Sequence, residues 1–145
     1  MNATPFIQEF FNQYARSRSS ALDIDAIASQ YPDSFMFAGP NGARVAEKAA
    51  VLAAFPRGQE FLKAVGHTST KVVSLDETPL DPPYVLARVK FLWRFEKTPA
   101  QPMDVEVDST FIVYVNQRAP TIVFQHEREE FQDALRARGV LPPRP

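Results

Sequence analysis

The fold is decided by residues 84–96, which read YVLARVKFLWRFE. Successive side chains of a β-strand point to opposite faces of a sheet, so odd and even positions form separate faces. The odd positions of this stretch are all apolar from Val85 onward, whereas the even positions include Arg88, Lys90 and Arg94. This alternation predicts a long strand with one apolar face and one charged face.

A second stretch, residues 105–115, reads VEVDSTFIVYV and alternates in the same way. Its odd positions are apolar except for Ser109, and its even positions include Glu106 and Asp108. Two such stretches in succession predict an antiparallel hairpin, centred near Ala100. The expected cross-strand pairs are Trp93 with Val107, Phe91 with Ser109, Val89 with Phe111, and Arg94 with Glu106.

An aromatic helix is predicted near the N-terminus. Thr4 is typical of an N-cap, and Pro5 occupies the first helical position, where its missing N–H does no harm. One apolar stripe then recurs at helical spacing. It consists of Phe6, Ile7, Phe10, Phe11 and Tyr14.

Turn residues and periodicity predict the remaining elements. We expect helices over residues 23–30, 45–55 and 127–138, the second of them broken at Pro56 and resumed over residues 57–65. We expect further strands over residues 34–38, 68–75 and 121–125. His67 is expected in a loop, and residues 140–145 are expected to form a loose tail after a cap at Gly139. Residues 1–145 are interpreted as one domain.

The composition excludes several classes of protein. Sixteen basic and seventeen acidic residues give a net charge of −1, which argues against a dedicated nucleic-acid-binding protein. The sequence has no cysteine, which excludes disulfides, thiolate metal sites and cysteine nucleophiles. We identify no signal peptide, and the longest apolar run, residues 49–55, is far shorter than the roughly 20 residues that span a bilayer. We therefore expect no membrane association and a cytoplasmic location.

The apolar face of the predicted sheet must be covered, and the aromatic helix is the natural cover. A straight helix cannot cover a strongly twisted sheet everywhere. We therefore expect a cone-shaped apolar cavity between the helices and the concave face, suited to a small apolar ligand. The predicted ligand-binding residues are Phe10, Tyr14, Phe37, Val89, Phe91, Trp93, Val107, Ser109 and Phe111.

Three segments carry a family resemblance. Residues 23–37 combine a short acidic helix with an aromatic residue, Pro-Asp and a strand. Residues 86–93 form a long central strand. In residues 122–141, Ile-Val-Phe precedes an acidic helix and the sequence Arg-Gly-Val-Leu. Over nearly its whole length the chain resembles the nuclear-transport-factor-2-like (SnoaL-like) superfamily. The resemblance implies an α+β fold, in which N-terminal helices cover a cone-shaped, curved, mostly antiparallel sheet of the cystatin-like kind.

The same resemblance implies a pocket and frequent homodimers. Members of the superfamily include isomerases, dehydratases, polyketide cyclases and subunits without chemistry, so the fold does not select an activity. A homodimer would use the outer face of the sheet, where apolar side chains are clustered among the charges. These are Leu86, Leu92, Ile112 and Tyr114.

Proton-transfer catalysis needs a titratable side chain within reach of the substrate. Glu106 and Asp108 fall on the outer face, so His126 is the candidate general base and Tyr14 the candidate polarising donor. A surface or helix-capping histidine and a tyrosine of the core are the alternative interpretations. Tyr14 and His126 are the only catalytic candidates.

The register of the last strand is left open, because a shift of one residue exchanges the two faces of a strand. One register turns Ile122, Phe124 and His126 inward, and the other turns Val123 and Gln125 inward. Residues 126–130, HEREE, resemble a zinc-binding helix, but Glu130 stands where that motif requires a second histidine. We predict no metal site and no cofactor.

Three functions remain as hypotheses. The first is a domain that binds a small molecule in an apolar pocket. The second is a lyase or isomerase that acts on an apolar ketone-like substrate with His126 as base. The third is a non-catalytic module that presents its sheet to a partner protein.

Overall fold

The computed structural model describes residues 3–19, 21–97, 101–116 and 119–143. The helices are α1 (Pro5–Ser17), α2 (Ile24–Ser29), α3 (Lys48–Ala64) and α4 (Phe131–Ala137). The strands are β1 (Ser34–Gly39), β2 (Gly42–Glu47), β3 (His67–Pro79), β4 (Tyr84–Phe95), β5 (Met103–Val115) and β6 (Pro120–Glu127).

The strands form one six-stranded sheet in the order β2-β1-β6-β5-β4-β3. All neighbours are antiparallel except β1 and β6, which run parallel. The sheet is curved and does not close on itself, and the helices cover its inner face. The expected α+β class with a mostly antiparallel sheet is confirmed.

The alternation of β4 and β5 separates the two faces as predicted. Ala87, Val89, Phe91 and Phe95 are buried on β4, as are the odd positions of β5 from Val105 to Val113. The expected register was wrong by two residues, because Trp93 lies opposite Val105 and not Val107. A shift of two keeps every side chain on its predicted face. Ala100, the expected centre of the hairpin, lies outside the described residues.

The outer face carries ion pairs between the long strands. Arg94 pairs with Asp104, not with Glu106 as expected, and its Nε lies 2.9 Å from the Asp104 Oδ1. The Lys90 Nζ lies 3.7 Å from the Glu106 Oε1. These pairs are exposed, so each contributes little to stability, roughly 0–1 kcal/mol.

Helix α1 covers one half of the inner face. The Thr4 hydroxyl accepts a hydrogen bond from the Ile7 N–H, which caps the helix as predicted. The Phe11 ring lies 4.8 Å from the Phe111 ring, and the Tyr14 ring stacks on Phe91 at 5.1 Å. Phe6 does not belong to the buried stripe, since 51% of it is exposed.

The region between β1 and α3 differs from the sequence prediction. Residues 42–47 form a strand that pairs with β1, so Val45 lies in a hairpin and not in a helix. The turn is set by Gly42, whose φ of 118° is unfavourable for other residues. Helix α3 then continues through Pro56. Phe55 and Leu62 pack on the core clusters from either side of the proline, which holds the two halves in one helix.

The chain after β5 also differs. Strand β6 continues to Glu127, and α4 starts only at Phe131, whereas the sequence suggested a helix from residue 127. Val140 is fully buried, and its N–H donates to the Leu135 carbonyl, so the chain is packed at the start of the expected loose tail. Residues 144–145 lie outside the described residues.

Among the described residues, no helix combines the length and the hydropathy that a bilayer span requires. The cytoplasmic location stays a prediction from the sequence.

We expect Phe11→Ala to lower the free energy of unfolding by about 3–5 kcal/mol, because it leaves a cavity between α1 and the sheet. Urea denaturation measures the loss. Phe6→Ala is the matched control on the same helix, and its exposed ring should cost about 0.5 kcal/mol or less. Equal losses in the two variants would show that α1 does not cover the sheet through Phe11.

Candidate functional site

A cavity of about 260 Å³ lies where α1 no longer covers the sheet. Its floor is formed by β4, β5 and β6, and its roof by α3 and the segment that follows α1. Most of its wall is apolar. The apolar lining residues are Leu22, Phe55, Leu62, Phe91, Trp93, Val107 and Phe131.

The cavity is polar at one end. Hydrogen bonds link the side chains of Tyr14, Ser109, Gln125 and Glu127 there. The other polar residues of the lining are Arg18, Gln59 and Glu129. This division into an aromatic body and a small polar end is typical of sites that orient a small ligand.

The structure brings together five of the predicted ligand-binding residues. Tyr14, Phe91, Trp93, Val107 and Ser109 all line the cavity. The other four lie elsewhere in the core. Phe10, Val89 and Phe111 are buried by packing, and Phe37 is half-buried with the Arg44 guanidinium 5.4 Å from its ring.

His126 does not line the cavity. Its neighbours Gln125 and Glu127 do, so strand alternation turns His126 to the opposite face, where it pairs with Ala38 and Thr110. The role of His126 as a catalytic base stays a prediction, and the cavity wall holds a carboxyl group in its place.

A bulge in β6 explains why neither of the two proposed registers holds over the whole strand. Val113 pairs with Ile122, but Ile112 pairs with Phe124, so Val123 is an extra residue in the ladder. The bulge reverses the alternation part-way along the strand. Ile122 from one register and Gln125 from the other are therefore both buried.

Glu127 is the central polar residue of the cavity. The Ser109 hydroxyl donates to its Oε1 at 2.5 Å, and the Gln125 Nε2 donates to its Oε2 at 2.6 Å. Ser109 lies directly opposite Glu127 in the sheet ladder, so the backbone register itself sets the first contact. Both carboxyl oxygens are therefore held by neighbours.

Burial raises the pKa of Glu127 above its usual value, because the charged form loses hydration. The hydrogen bonds from Ser109 and Gln125, and the positive charge of Arg18, act in the opposite direction. Burial is the largest of these effects. Glu127 is consequently a carboxyl group with raised proton affinity, as acid–base groups in enzymes often are.

A buried hydrogen-bonded network continues behind Glu127. The Tyr31 hydroxyl donates to the Gln125 Oε1 at 2.7 Å, and the Arg18 Nη2 donates to the Tyr31 oxygen at 3.0 Å. The Arg18 Nη1 donates to the Gln30 Oε1 at 2.7 Å. The side chains of this network fix the Gln125 amide, so its nitrogen faces Glu127.

Tyr14 joins the network at the cavity wall. Its hydroxyl oxygen accepts from the Gln125 Nε2 at 3.2 Å, and the Arg18 guanidinium lies 3.5 Å from its ring centre. Burial is the largest cause of the raised pKa of Tyr14, so the phenol is a neutral hydroxyl at physiological pH.

His67 lies behind the cavity wall, and not in a loop as expected. It begins β3 and is 4% exposed. Its Nε2 lies 2.9 Å from the Thr70 Oγ1, and its ring lies 4.9 Å from the Trp93 ring. Burial lowers the pKa of His67, so it packs as a neutral imidazole that supports Trp93.

Glu127 and Arg18 were not predicted as site residues, and Gln125 faced inward in only one of the two registers that the sequence left open. The helix expected over residues 127–138 included Glu127, whereas the extended strand places it inward with Gln125. Arg18 had no signal in the sequence, since its burial depends on partners in α2 and β6. Within the described residues, no group of three or more histidine or acidic side chains is arranged to hold a metal ion.

The order of helices and strands is shared with many solved structures. Aln2 from a Streptomyces species superposes on this chain with a TM-score of 0.71 and 11% sequence identity. The superposition covers 95% of this chain and 100% of the Aln2 chain. An NTF2-like protein with a cystatin-like fold, from Novosphingobium aromaticivorans, gives 0.69 at 13% identity over 95% of this chain and 88% of its own. This chain has the NTF2-like fold.

A third solved structure is named as a subunit. The beta subunit of the benzoate 1,2-dioxygenase from Burkholderia mallei superposes with a TM-score of 0.69 at 14% identity, over 92% of this chain and 94% of its own. The sequence matches no protein-family model and no curated protein. At such identities the likeness establishes the fold alone, and function must be argued from the cavity.

Proposed function

We propose that this NTF2-like domain binds a small, largely apolar molecule in the cavity between α3 and the sheet. The observation that carries the proposal is the lining itself, in which aromatic rings surround a single polar end built around Glu127. A ligand of matching shape would gain dispersion contacts with these apolar walls.

The size of the cavity limits the ligand. An engineered apolar cavity of about 150 Å³ binds benzene, so about 260 Å³ suits a ligand with one substituted ring. Larger molecules would have to extend through an opening in the wall. The polar end would accept one hydrogen-bonding or charged group of the ligand.

Trp93 provides a direct test, because it is the only tryptophan of the sequence and it lines the cavity. We expect ethylbenzene to change the fluorescence of Trp93 in a saturable manner. Val107→Phe should weaken this binding at least about tenfold, since the larger ring fills the same space. Fluorescence titration measures both affinities.

Val45→Phe is the matched control, because Val45 is 61% exposed on β2. It should leave the affinity unchanged, and circular dichroism verifies that both variants are folded. If ethylbenzene leaves the Trp93 emission unaffected, the cavity does not bind ligands of this class.

The second candidate function is an acid–base enzyme, a lyase or isomerase of an apolar ketone-like substrate. Glu127 favours it, since a carboxyl group with raised pKa lies in an apolar cavity beside the Tyr14 hydroxyl. Glu127 would remove a proton from the carbon next to the carbonyl, and Tyr14 would polarise the carbonyl oxygen. His126 has the same role in the version of this hypothesis drawn from the sequence.

Exchange of hydrogen for deuterium next to the carbonyl of 2-tetralone tests this candidate, followed by NMR in heavy water. We expect exchange above the buffer rate, lowered roughly 10²–10⁴-fold in Glu127→Gln. His126→Gln is the control and should keep the wild-type rate. Loss of exchange in the His126 variant alone would instead identify His126 as the base, and no exchange at all would remove the enzyme hypothesis without affecting the binding hypothesis.

We also propose that the outer face of the sheet joins two copies of the chain. Leu86, Leu92, Ile112 and Tyr114 are half-buried there among ion-paired charges, and the Tyr84 ring lies 5.5 Å from Tyr114 while remaining 41% exposed. The benzoate dioxygenase beta subunit is an assembly component by name. Its likeness also supports the alternative of a module that binds another protein.

Sedimentation velocity at micromolar concentration measures the association. We expect a dimer for the wild type and a monomer for Leu92→Glu, because the new charge would be buried without a partner. Val45→Glu, on β2, is the control and should remain a dimer. A wild-type monomer would contradict the proposed homodimer.

A further inference from the structure

The cavity combines aromatic rings with negative charge. The rings of Tyr14, Phe55, Phe91, Trp93 and Phe131 all line it, and the Trp93 and Phe131 rings lie 4.7 Å apart. Two acidic residues, Glu127 and Glu129, line the same space. The π faces of aromatic rings carry partial negative charge, so rings and carboxylates attract the same kind of ligand.

The acidic groups of the cavity lack a contact partner of opposite charge. In the parts of the chain that the structure describes, neither Glu127 nor Glu129 forms an ion pair with a basic side chain. Arg18 is the basic residue of the lining, and it acts on Glu127 only at longer range. The lining thus contains two carboxyl groups and one guanidinium group.

The hydrogen bonds of Arg18 turn away from the ligand space. Its Nη1 donates to the Tyr14 carbonyl, the Ser17 hydroxyl and the Gln30 amide, and its Nη2 donates to the Tyr31 hydroxyl. One face of the guanidinium lies on the Tyr14 ring. Arg18 therefore uses these donors within the protein, whereas the carboxyl groups can still accept hydrogen bonds from a ligand.

From this arrangement we propose that the ligand of the cavity is an apolar cation, a protonated amine or a quaternary ammonium compound carrying one ring or a comparable apolar body. Its positive group lies beside Glu127 and against the aromatic rings, and its apolar body fills the space between Phe55, Trp93 and Val107. The inference rests on the proposed function, because it specifies the ligand class of the same cavity.

Charge compensation is the physical reason. A carboxylate in an apolar cavity has lost much of its hydration, and a cation restores the lost stabilisation. The raised pKa of Glu127 agrees with this, since burial outweighs the hydrogen bonds from Ser109 and Gln125 and the charge of Arg18. A neutral ligand would not restore the stabilisation that the carboxylate loses with its hydration, and an anionic ligand would add repulsion.

Three probes of similar size separate these cases. They are benzyltrimethylammonium, its uncharged carbon isostere 2,2-dimethylpropylbenzene, and the anion phenylacetate. Each is titrated into the full chain at neutral pH, with Trp93 fluorescence and calorimetry as readouts. We expect the cation to bind at least about tenfold more tightly than the isostere, and the anion to bind most weakly.

Glu127→Gln tests the role of the carboxylate, because glutamine keeps the shape and can still accept from Ser109 or Gln125. We expect it to lower the affinity for the cation at least about tenfold and to leave the affinity for the neutral isostere unchanged. Glu129→Gln should lower the cation affinity less, since Glu127 is the carboxyl group that Ser109 and Gln125 hold in place. Glu60→Gln is the control, because it removes an equal charge from an exposed site on α3.

The pH dependence gives an independent readout, since benzyltrimethylammonium does not titrate. Several groups face Glu127 or share its cavity: Ser109 on β5, Gln125 on β6, Tyr14 on α1, Arg18 and Tyr31 further along the chain, and Glu129. As pH falls through the pKa of Glu127, the carboxylate becomes neutral and the cation affinity should fall. Because burial raises this pKa, the loss should start at a higher pH than for an exposed glutamate. Affinity independent of pH would contradict the proposal.

The outcomes distinguish the two levels of inference. If the neutral isostere or phenylacetate binds as tightly as the cation, the cavity binds ligands but the cation preference is wrong. If none of the three probes binds to the folded chain, the proposed function itself fails. Tighter binding of phenylacetate, lost in Arg18→Gln, would assign the polar end to an anion.

Discussion

The contact between α1 and the inner face of the sheet determines the rest of the molecule. Phe11 and Tyr14 occupy the space above Phe91 and Phe111, and they exclude water from that half of the sheet. A straight helix on a twisted sheet can do this over a limited length only. Beyond the reach of α1, residues of α3 and Phe131 face the sheet across the cavity beside Trp93 and Val107.

The polar end of the cavity follows from a separate constraint, the need to satisfy buried hydrogen-bonding groups. Arg18, Tyr31 and Gln125 bond in sequence from the end of α1 to β6. With those groups satisfied, Gln125 directs its amide nitrogen toward Glu127. A carboxyl group thereby has a fixed position in an apolar space, where its charge has the greatest effect on whatever binds there.

The faces of β4 and β5 were predictable from the sequence because they depend only on alternation, which a register error of two residues does not alter. Five of the nine predicted cavity residues line the space for the same reason. The end of β6 was not predictable in this way. The bulge at Val123 reverses the alternation, and the acidic run after Gln125 suggests a helix. The burial of Arg18 depends on contacts between distant segments of the chain, which a local sequence pattern does not reveal.

The ion pairs on the outside of the sheet and the carboxylate within it respond differently to dissolved salt. Arg94 with Asp104 and Lys90 with Glu106 are accessible to counterions, which screen exposed charges beyond a distance of about 8–10 Å at physiological ionic strength. Glu127 lines an apolar cavity, and partly buried charges are screened much less than exposed ones. Ionic strength therefore acts mainly on the outer face of the sheet and less on the field within the cavity.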